Sequence, residues 1–197
     1  MLIECAQACV AAYDSNSLEV GNVEVLLSSV NGTLIVAFRG TELDEARDWL
    51  ADAYALPWRP TALGGPWVHR GFYRGAKAAW QELRSFLLPR RGSIVLTGHS
   101  LGAAQATLTA ALAVREGLDV SGLYLFASPH CGSKSLASLL SRVPAWHHFH
   151  SDDVVPNLPL LLGKVAWPHV GTQVALGNGG HAMKSILSSV SGLEARP

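Results

Sequence analysis

Charge is scarce in this chain. Asp, Glu, Lys and Arg make up 15% of its 197 residues, against roughly 25% in an average globular domain. Acids and bases balance at 15 each, so there is no electrostatic footprint for nucleic acid, and no such partner is expected. Cysteine is scarce too. Three residues, an odd number, argue against a disulfide framework. No run reaches 18 apolar residues, so no membrane span is expected. Met1-Leu2-Ile3-Glu4-Cys5 lacks the basic opening of a secretory leader, which makes the cytoplasm the default location, with release by another route left open. Internal repeats, low-complexity tracts and linkers are also missing, and Gly64-Gly65-Pro66 marks a loop too short to act as a domain linker. With 49% apolar residues, the stretch 1–197 is expected to form one domain with a real core.

What the chain does have is concentrated around residue 100. The run Ile94-Val95-Leu96-Thr97 leads into Gly98-His99-Ser100-Leu101-Gly102, and an Ala-rich helical run, residues 103–114, follows at once. A strand that turns sharply into a helix forces the serine between them into a strained conformation from which its hydroxyl projects. The glycines on either side keep side chains off the adjoining strand and helix. The helix N-terminus behind presents free N–H groups to any oxyanion that forms. Gly-x-Ser-x-Gly alone is a weak signal; strand and helix in place make Ser100 a nucleophile candidate.

Such a serine needs a base and a carboxylate, which follow it in the chain in the order Asp, His. Downstream acids are Asp119, Asp152, Asp153 and Glu194. Asp119 sits with Gly117 in a helix-to-strand connection and reads as a solvated turn. Asp152 and Asp153 follow a β-like run, residues 146–150, and so stand at a strand end, where α/β sheets carry catalytic groups. Beyond them lie two histidines. His169 falls in Val165-Ala166-Trp167-Pro168-His169-Val170, which reads as a strand start. His181 follows Gly177-Asn178-Gly179-Gly180, a flexible loop opening a last helix over 182–190, and from there an imidazole can reach the serine. His181 is the preferred base.

Other histidines and thiols invite a metal reading. Cys5 and Cys9 sit four apart in an apparent helix over 2–13 and could pair with His130 or Cys131 on zinc. In Trp146-His147-His148-Phe149-His150 a strand would put His148 and His150 on one face and His147 on the other. At most two could converge, no carboxylate is placed among them, and ordinary packing is the preferred reading.

Elsewhere, strands over 23–30 and 33–38 flank Asn31-Gly32, a two-residue hairpin signal. Helices are expected over 42–53 and over 72–87, ending before Pro89, with strands at 93–96, 123–127 and 146–150. Residues 165–176 read as a hairpin around Gly171. Strands alternating with helices after the first hairpin imply a mostly parallel central sheet with an antiparallel edge and helices on both faces.

Five segments, in order, resemble the class 3 (fungal-type) lipases of the α/β-hydrolase superfamily. They are Val36-Ala37-Phe38-Arg39-Gly40-Thr41, Asp48-Trp49-Leu50-Ala51-Asp52, Val68-His69-Arg70-Gly71-Phe72, Thr97-Gly98-His99-Ser100-Leu101-Gly102 and Asp153-Val154-Val155-Pro156-Asn157-Leu158-Pro159. The resemblance implies an α/β-hydrolase fold with Ser100 as nucleophile, Asp153 rather than Asp152 as the acid, and His181 as the base. It also implies an oxyanion hole from the backbone N–H groups of Leu101 and Thr41, and a structural role for His169. Ser-His-Asp chemistry needs no metal or organic cofactor. The chain departs from many members in having Gly102-Ala103 where they have two glycines, and it is shorter around the base.

The resemblance further implies a lid directly after the oxyanion residue, over 42–60. Its first half is charged (Glu42, Asp44, Glu45, Arg47, Asp48) and its second apolar (Trp49, Leu50, Ala53, Tyr54, Leu56, Trp58). That fits either a cover that opens onto lipid or an amphipathic helix packed permanently on the core. Leu158, Leu160, Leu161 and Leu162 are candidates for an acyl pocket beside Asp153. The function implied is ester hydrolysis of acylglycerols, with a lipid or small ester as substrate, at a lipid–water interface in the lipase case. A short-chain carboxylesterase or phospholipase A1 would use the same machinery. A non-enzymatic lipid-binding protein on a hydrolase fold is the rival that three triad residue types in order argue against.

Overall fold

The computed structural model describes residues 1–14, 17–40, 57–158 and 167–194. Helix α1 (Leu2–Ala11) comes first, followed by β1 (Leu18–Val20), β2 (Val23–Val30) and β3 (Thr33–Phe38). Two short strands, β4 (Pro57–Trp58) and β5 (Val68–His69), pair with each other and lead into α2 (Arg70–Leu87). Then come β6 (Ile94–His99), α3 (Leu101–Arg115), β7 (Gly122–Phe126), α4 (Lys134–Leu139), β8 (Ala145–Phe149), β9 (Thr172–Ala175) and α5 (Met183–Glu194).

The main sheet has the order β1-β2-β3-β6-β7-β8-β9. Asn31 and Gly32, at φ 50° and 80°, close β2 onto β3 in a two-residue turn with both central φ angles positive. β1, β2 and β3 pair antiparallel; every neighbour from β3 to β9 pairs parallel. The fold is the expected one, a mostly parallel sheet with an antiparallel edge.

The central strands are buried on both faces, which is why they read as unbroken apolar runs. Leu34, Val36, Phe38, Ile94 and Leu96 pack on one side with Ala79 and Trp80 of α2 and Ala104 and Leu108 of α3. Ile35, Ala37 and Val95 face the other side, against Cys5 and Cys9 of α1 and Ile186 and Val190 of α5. Helix α3 is buried at every position from Gly102 to Ala113. Its alanines allow that, because small side chains let one helix lie close to the sheet and to α2 together.

One expectation is overturned. Residues 165–176 do not form a hairpin among the described residues: 167–170 have no regular structure, and β9 pairs parallel with β8, Trp146 opposite Thr172. Pro168 has no N–H to give to a ladder. Gly171, at φ 82°, brings the chain into β9 so close to the Ala145 carbonyl that a side chain there would collide with it. His169 therefore lies in an irregular segment, not a strand. The helix expected over 42–53 lies outside the described residues.

Candidate active site

Ser100 stands between β6 and α3 with φ 54° and ψ −123°, a strained conformation for a residue with a side chain. The flanking glycines explain how the turn closes. A Cβ on Gly98 would run into the Gly102 carbonyl group, and a Cβ on Gly102 into the carbonyl oxygen of Phe38. The Ser100 N–H donates to the Phe126 carbonyl at 2.9 Å, which pins the turn to the end of β7. Leu101 is the first residue of α3, so its N–H precedes the hydrogen-bond ladder of the helix. Thr41, the other expected oxyanion donor, lies outside the described residues.

Asp153 follows β8 in a turn closed by its own N–H on the His150 carbonyl at 3.1 Å. Its Oδ1 accepts from the Val155 N–H at 3.0 Å. Its Oδ2 accepts from His181 Nδ1–H at 2.7 Å, and His181 Nε2 in turn accepts from the Ser100 hydroxyl at 2.9 Å. A single line of hydrogen bonds thus joins residues that lie 81 and 28 positions apart in the chain. The side chains of His181 and Asp153 are 7% and 1% exposed, so the line is shielded from water. Asp152 is exposed and meets backbone N–H groups of the loop before His181, not the imidazole.

Two residues that carried no signal in the sequence complete the site. His99 Nε2–H donates to the His181 carbonyl at 2.8 Å, while its Nδ1 accepts from the Tyr13 hydroxyl at 2.8 Å. Burial, and second the proximity of His181, push the His99 imidazole down to a pKa of about 3. His99 therefore stays neutral and acts as a brace on the main chain of His181. His99 was legible only as the x of Gly-x-Ser-x-Gly, and Tyr13 only as the end of an N-terminal helix.

His169 takes no part in this line. Its Nε2–H donates to the Pro156 carbonyl at 2.8 Å, and its ring stacks on His130 and meets His147 at a tilt, with centroids 4.1 and 4.3 Å away. His147 Nε2 accepts from the Ser128 N–H at 2.9 Å, and His148 stacks on Phe126. These are packing roles. Cys9 Sγ lies 3.3 Å from Thr97 Oγ1 in the core, and burial pushes the Cys9 thiol up to about 12, which makes it inert.

Of the segment 42–60, residues 42–56, including Trp49, lie outside the described residues. Its end is fixed: Trp58 pairs with Val68 across the small sheet, is 45% exposed, and holds the Arg70 guanidinium 5.3 Å above its ring. Leu160, Leu161 and Leu162 are likewise outside the described residues. The Leu158 carbonyl accepts from the His130 N–H at 2.7 Å.

A serine on a strand–helix turn in a mostly parallel sheet, with an acid after a later strand and a histidine before the last helix, defines the α/β-hydrolase architecture. Residues 35–163 match the family model described as Lipase (class 3), which takes in more than half of the chain. The protein belongs to the class 3 lipase family. It is 28% identical over 180 residues to the secreted mono- and diacylglycerol lipase A of Penicillium cyclopium, covering 85% of this chain and 56% of that protein. It is 29% identical over 203 residues to phospholipase A1-II 1 of Oryza sativa subsp. indica, covering 86% of this chain and 50% of that one. The chain thus spans about half the length of these relatives. A crystal structure of an MDLA variant from Penicillium cyclopium superposes with a TM-score of 0.67 at 25% identity, covering 92% of this chain and 78% of the other. Among the described residues no helix is long and apolar enough to cross a membrane.

Proposed function

We propose that this protein is a serine ester hydrolase that cleaves acylglycerols, with Ser100 as nucleophile, His181 as base and Asp153 as the acid that orients it. The observation that carries this reading is the hydrogen-bond line Ser100 Oγ–His181–Asp153, at 2.9 and 2.7 Å. His181 Nε2 takes the Ser100 proton as Oγ attacks the ester carbonyl. Asp153 holds the Nδ1–H tautomer and steadies the imidazolium. The oxygen of the tetrahedral intermediate is received by the backbone N–H groups of Leu101 and Thr41, each worth roughly 3–4 kcal/mol in such a site. The imidazolium returns its proton to the leaving alcohol. Water, deprotonated by the same nitrogen, then attacks the acyl–Ser100 ester and releases the fatty acid.

The substrate reading follows the Penicillium relative, a mono- and diacylglycerol lipase. The rice relative is a phospholipase A1 at nearly the same identity, which gives phospholipids standing as a second substrate class. Hydrolysis of monoolein, diolein and phosphatidylcholine, run beside p-nitrophenyl esters from acetate to palmitate, separates these readings. Turnover of the short p-nitrophenyl esters alone would make the protein a carboxylesterase. Residues 42–60 are read as the lid, and residues 1–197 as one domain, since both core clusters rest on the same sheet. The Penicillium relative is a secreted protein, and the cytoplasmic location expected from the sequence finds no support there. Cys5, Cys9 and Cys131 are buried and unpaired, which suits either compartment.

A further inference from the structure

The loop that carries His181 offers little to hold itself in place. Gly177 and Gly180 have φ angles of 81° and 68°, and a side chain on either would meet nothing within 4 Å. Residues 177–181 nevertheless present the base at hydrogen-bond distance from both of its partners. Apart from the His99 bond to the His181 carbonyl, the bonds that achieve this come from four consecutive residues, 150–153, each reaching across to the loop. Ser151 N–H donates to the Gly177 carbonyl at 2.7 Å. Asp152 Oδ1 accepts from the N–H groups of Gly179 and Gly180, both at 3.0 Å. His150 Nδ1–H donates to the Gly180 carbonyl at 2.8 Å, its Nε2 accepting from Ser189 Oγ at 2.9 Å. Asp153 completes the series on the imidazole itself.

Gly180, the residue before the base, therefore has both of its backbone polar groups held by side chains of the acid's own segment. Gly179 must be glycine for this to work, because a Cβ there would lie 2.6 Å from the His150 ring. We propose that Asp152 is a positioning residue for the reaction: its carboxylate, with His150 beside it, clamps the 177–181 loop so that acid and base are set by one rigid segment. The inference rests on the proposed roles of Ser100, His181 and Asp153. The two N–H donors also hold the Asp152 carboxyl below its ordinary range, so the clamp favours the ionised form. Asp152 touches neither Ser100 nor the imidazole, so its effect reaches the chemistry only through where His181 stands. A misplacement of about 1 Å in a catalytic group can cost about 100-fold in rate.

The test compares Asp152→Ala with Asp152→Asn. Alanine removes the acceptor, whereas asparagine keeps an oxygen that can receive both N–H groups, though as a neutral and weaker acceptor. For Asp152→Ala, kcat should fall by roughly 10- to 100-fold with KM unchanged. The melting temperature should stay at the wild-type value, because the residue is exposed. Asp152→Asn should recover to within about threefold of wild type, given the smaller strength of a neutral hydrogen bond. Wild-type kcat in Asp152→Ala, a loss confined to KM, or equal impairment of both variants would each overturn the clamp. A second readout does not need turnover: the downfield proton resonance of His181 Nδ1–H should broaden or move in Asp152→Ala and persist in Asp152→Asn. Should the wild-type protein hydrolyse no ester, the functional reading fails, and this resonance alone decides the clamp. An identical signal in all three proteins would refute it.

Discussion

Acid should unfold this protein unusually steeply, because buried histidines, His69, His99 and His148 among them, must stay neutral for the fold to stand. His69 caps α2, its Nδ1 accepting from the Phe72 N–H at 3.2 Å, while its buried Nε2 has no partner. His148 has a buried Nδ1 without a partner, and His99 sits between Tyr13 and the His181 carbonyl. A proton would remove the acceptor at His69 and His99 and leave a buried charge at all three. Burial accordingly lowers His69 and His148 to about 4 and His99 to about 3. The ordinary value of 6.5 applies in the unfolded chain. The folded values are depressed bases, so the stability is fully present above pH 6.5 and is lost as pH falls from there toward 4. At pH 5 unfolding takes up nearly three protons at these sites, a slope of roughly 3–4 kcal/mol per pH unit. Between pH 6.5 and pH 5 the loss comes to about 5 kcal/mol, a large share of a typical total of about 5–15 kcal/mol. His130, His147 and His169, which burial also lowers, add to this uptake, whereas Glu24 and Asp152, whose partners hold their carboxyls below the ordinary range, enter only at lower pH. Calorimetric melting across this window measures the slope directly. His148→Phe, which cannot titrate, should reduce it by about one proton, roughly 1 kcal/mol per pH unit. Uptake of less than one proton at pH 5, or an unchanged slope in His148→Phe, would refute the reasoning.

Three further outcomes follow from the site. Asp153→Asn should lower kcat by about 10⁴-fold, the loss seen when a triad carboxylate becomes an amide and the histidine takes the wrong tautomer; a loss under tenfold on folded protein would move the acid elsewhere. His181→Ala should abolish turnover with little change in melting temperature, whereas His169→Ala, which removes the bond to Pro156 and the ring contacts with His130 and His147, should lower the melting temperature and leave residual activity. Equal inactivation with unchanged melting would undo that separation. If residues 42–60 cover the site in water, activity on tributyrin should jump as substrate passes its solubility limit, and Trp58→Ser should flatten the jump. Smooth saturation across that limit would favour an esterase without a gate.

How much of this was legible in the sequence depended on the distance over which each feature is decided. The elbow is local: β-branched residues before Gly98, alanines after Gly102 and the serine between them fix strand, turn and helix without outside help. The Asn31-Gly32 hairpin is local for the same reason. β1 and β4 have three and two residues, too few for any period to show, and each exists because a neighbouring strand pairs with it. The segment around Gly171 misled because a short apolar run beside a glycine fits a hairpin as well as one strand docking parallel on β8. In the site, the choice of His181 over His169 followed from loop composition, but the choice between Asp152 and Asp153 needed the family resemblance. Geometry shows why: both acids reach the same loop, one to its backbone and one to the imidazole. The braces from Tyr13 through His99 span 86 and 82 positions, and no local pattern marks them.

Whether Ser100 is the nucleophile is read most plainly by covalent labelling of the folded protein with a fluorophosphonate, followed by intact mass. The wild-type chain should take up one equivalent, peptide mapping should place it on Ser100, and Ser100→Ala should take up none. His181→Ala should label at least 100-fold more slowly, roughly the lower bound for losing a general base. One equivalent bound to Ser100→Ala, or no labelling of the wild-type protein, would contradict the assignment of Ser100 as the nucleophile.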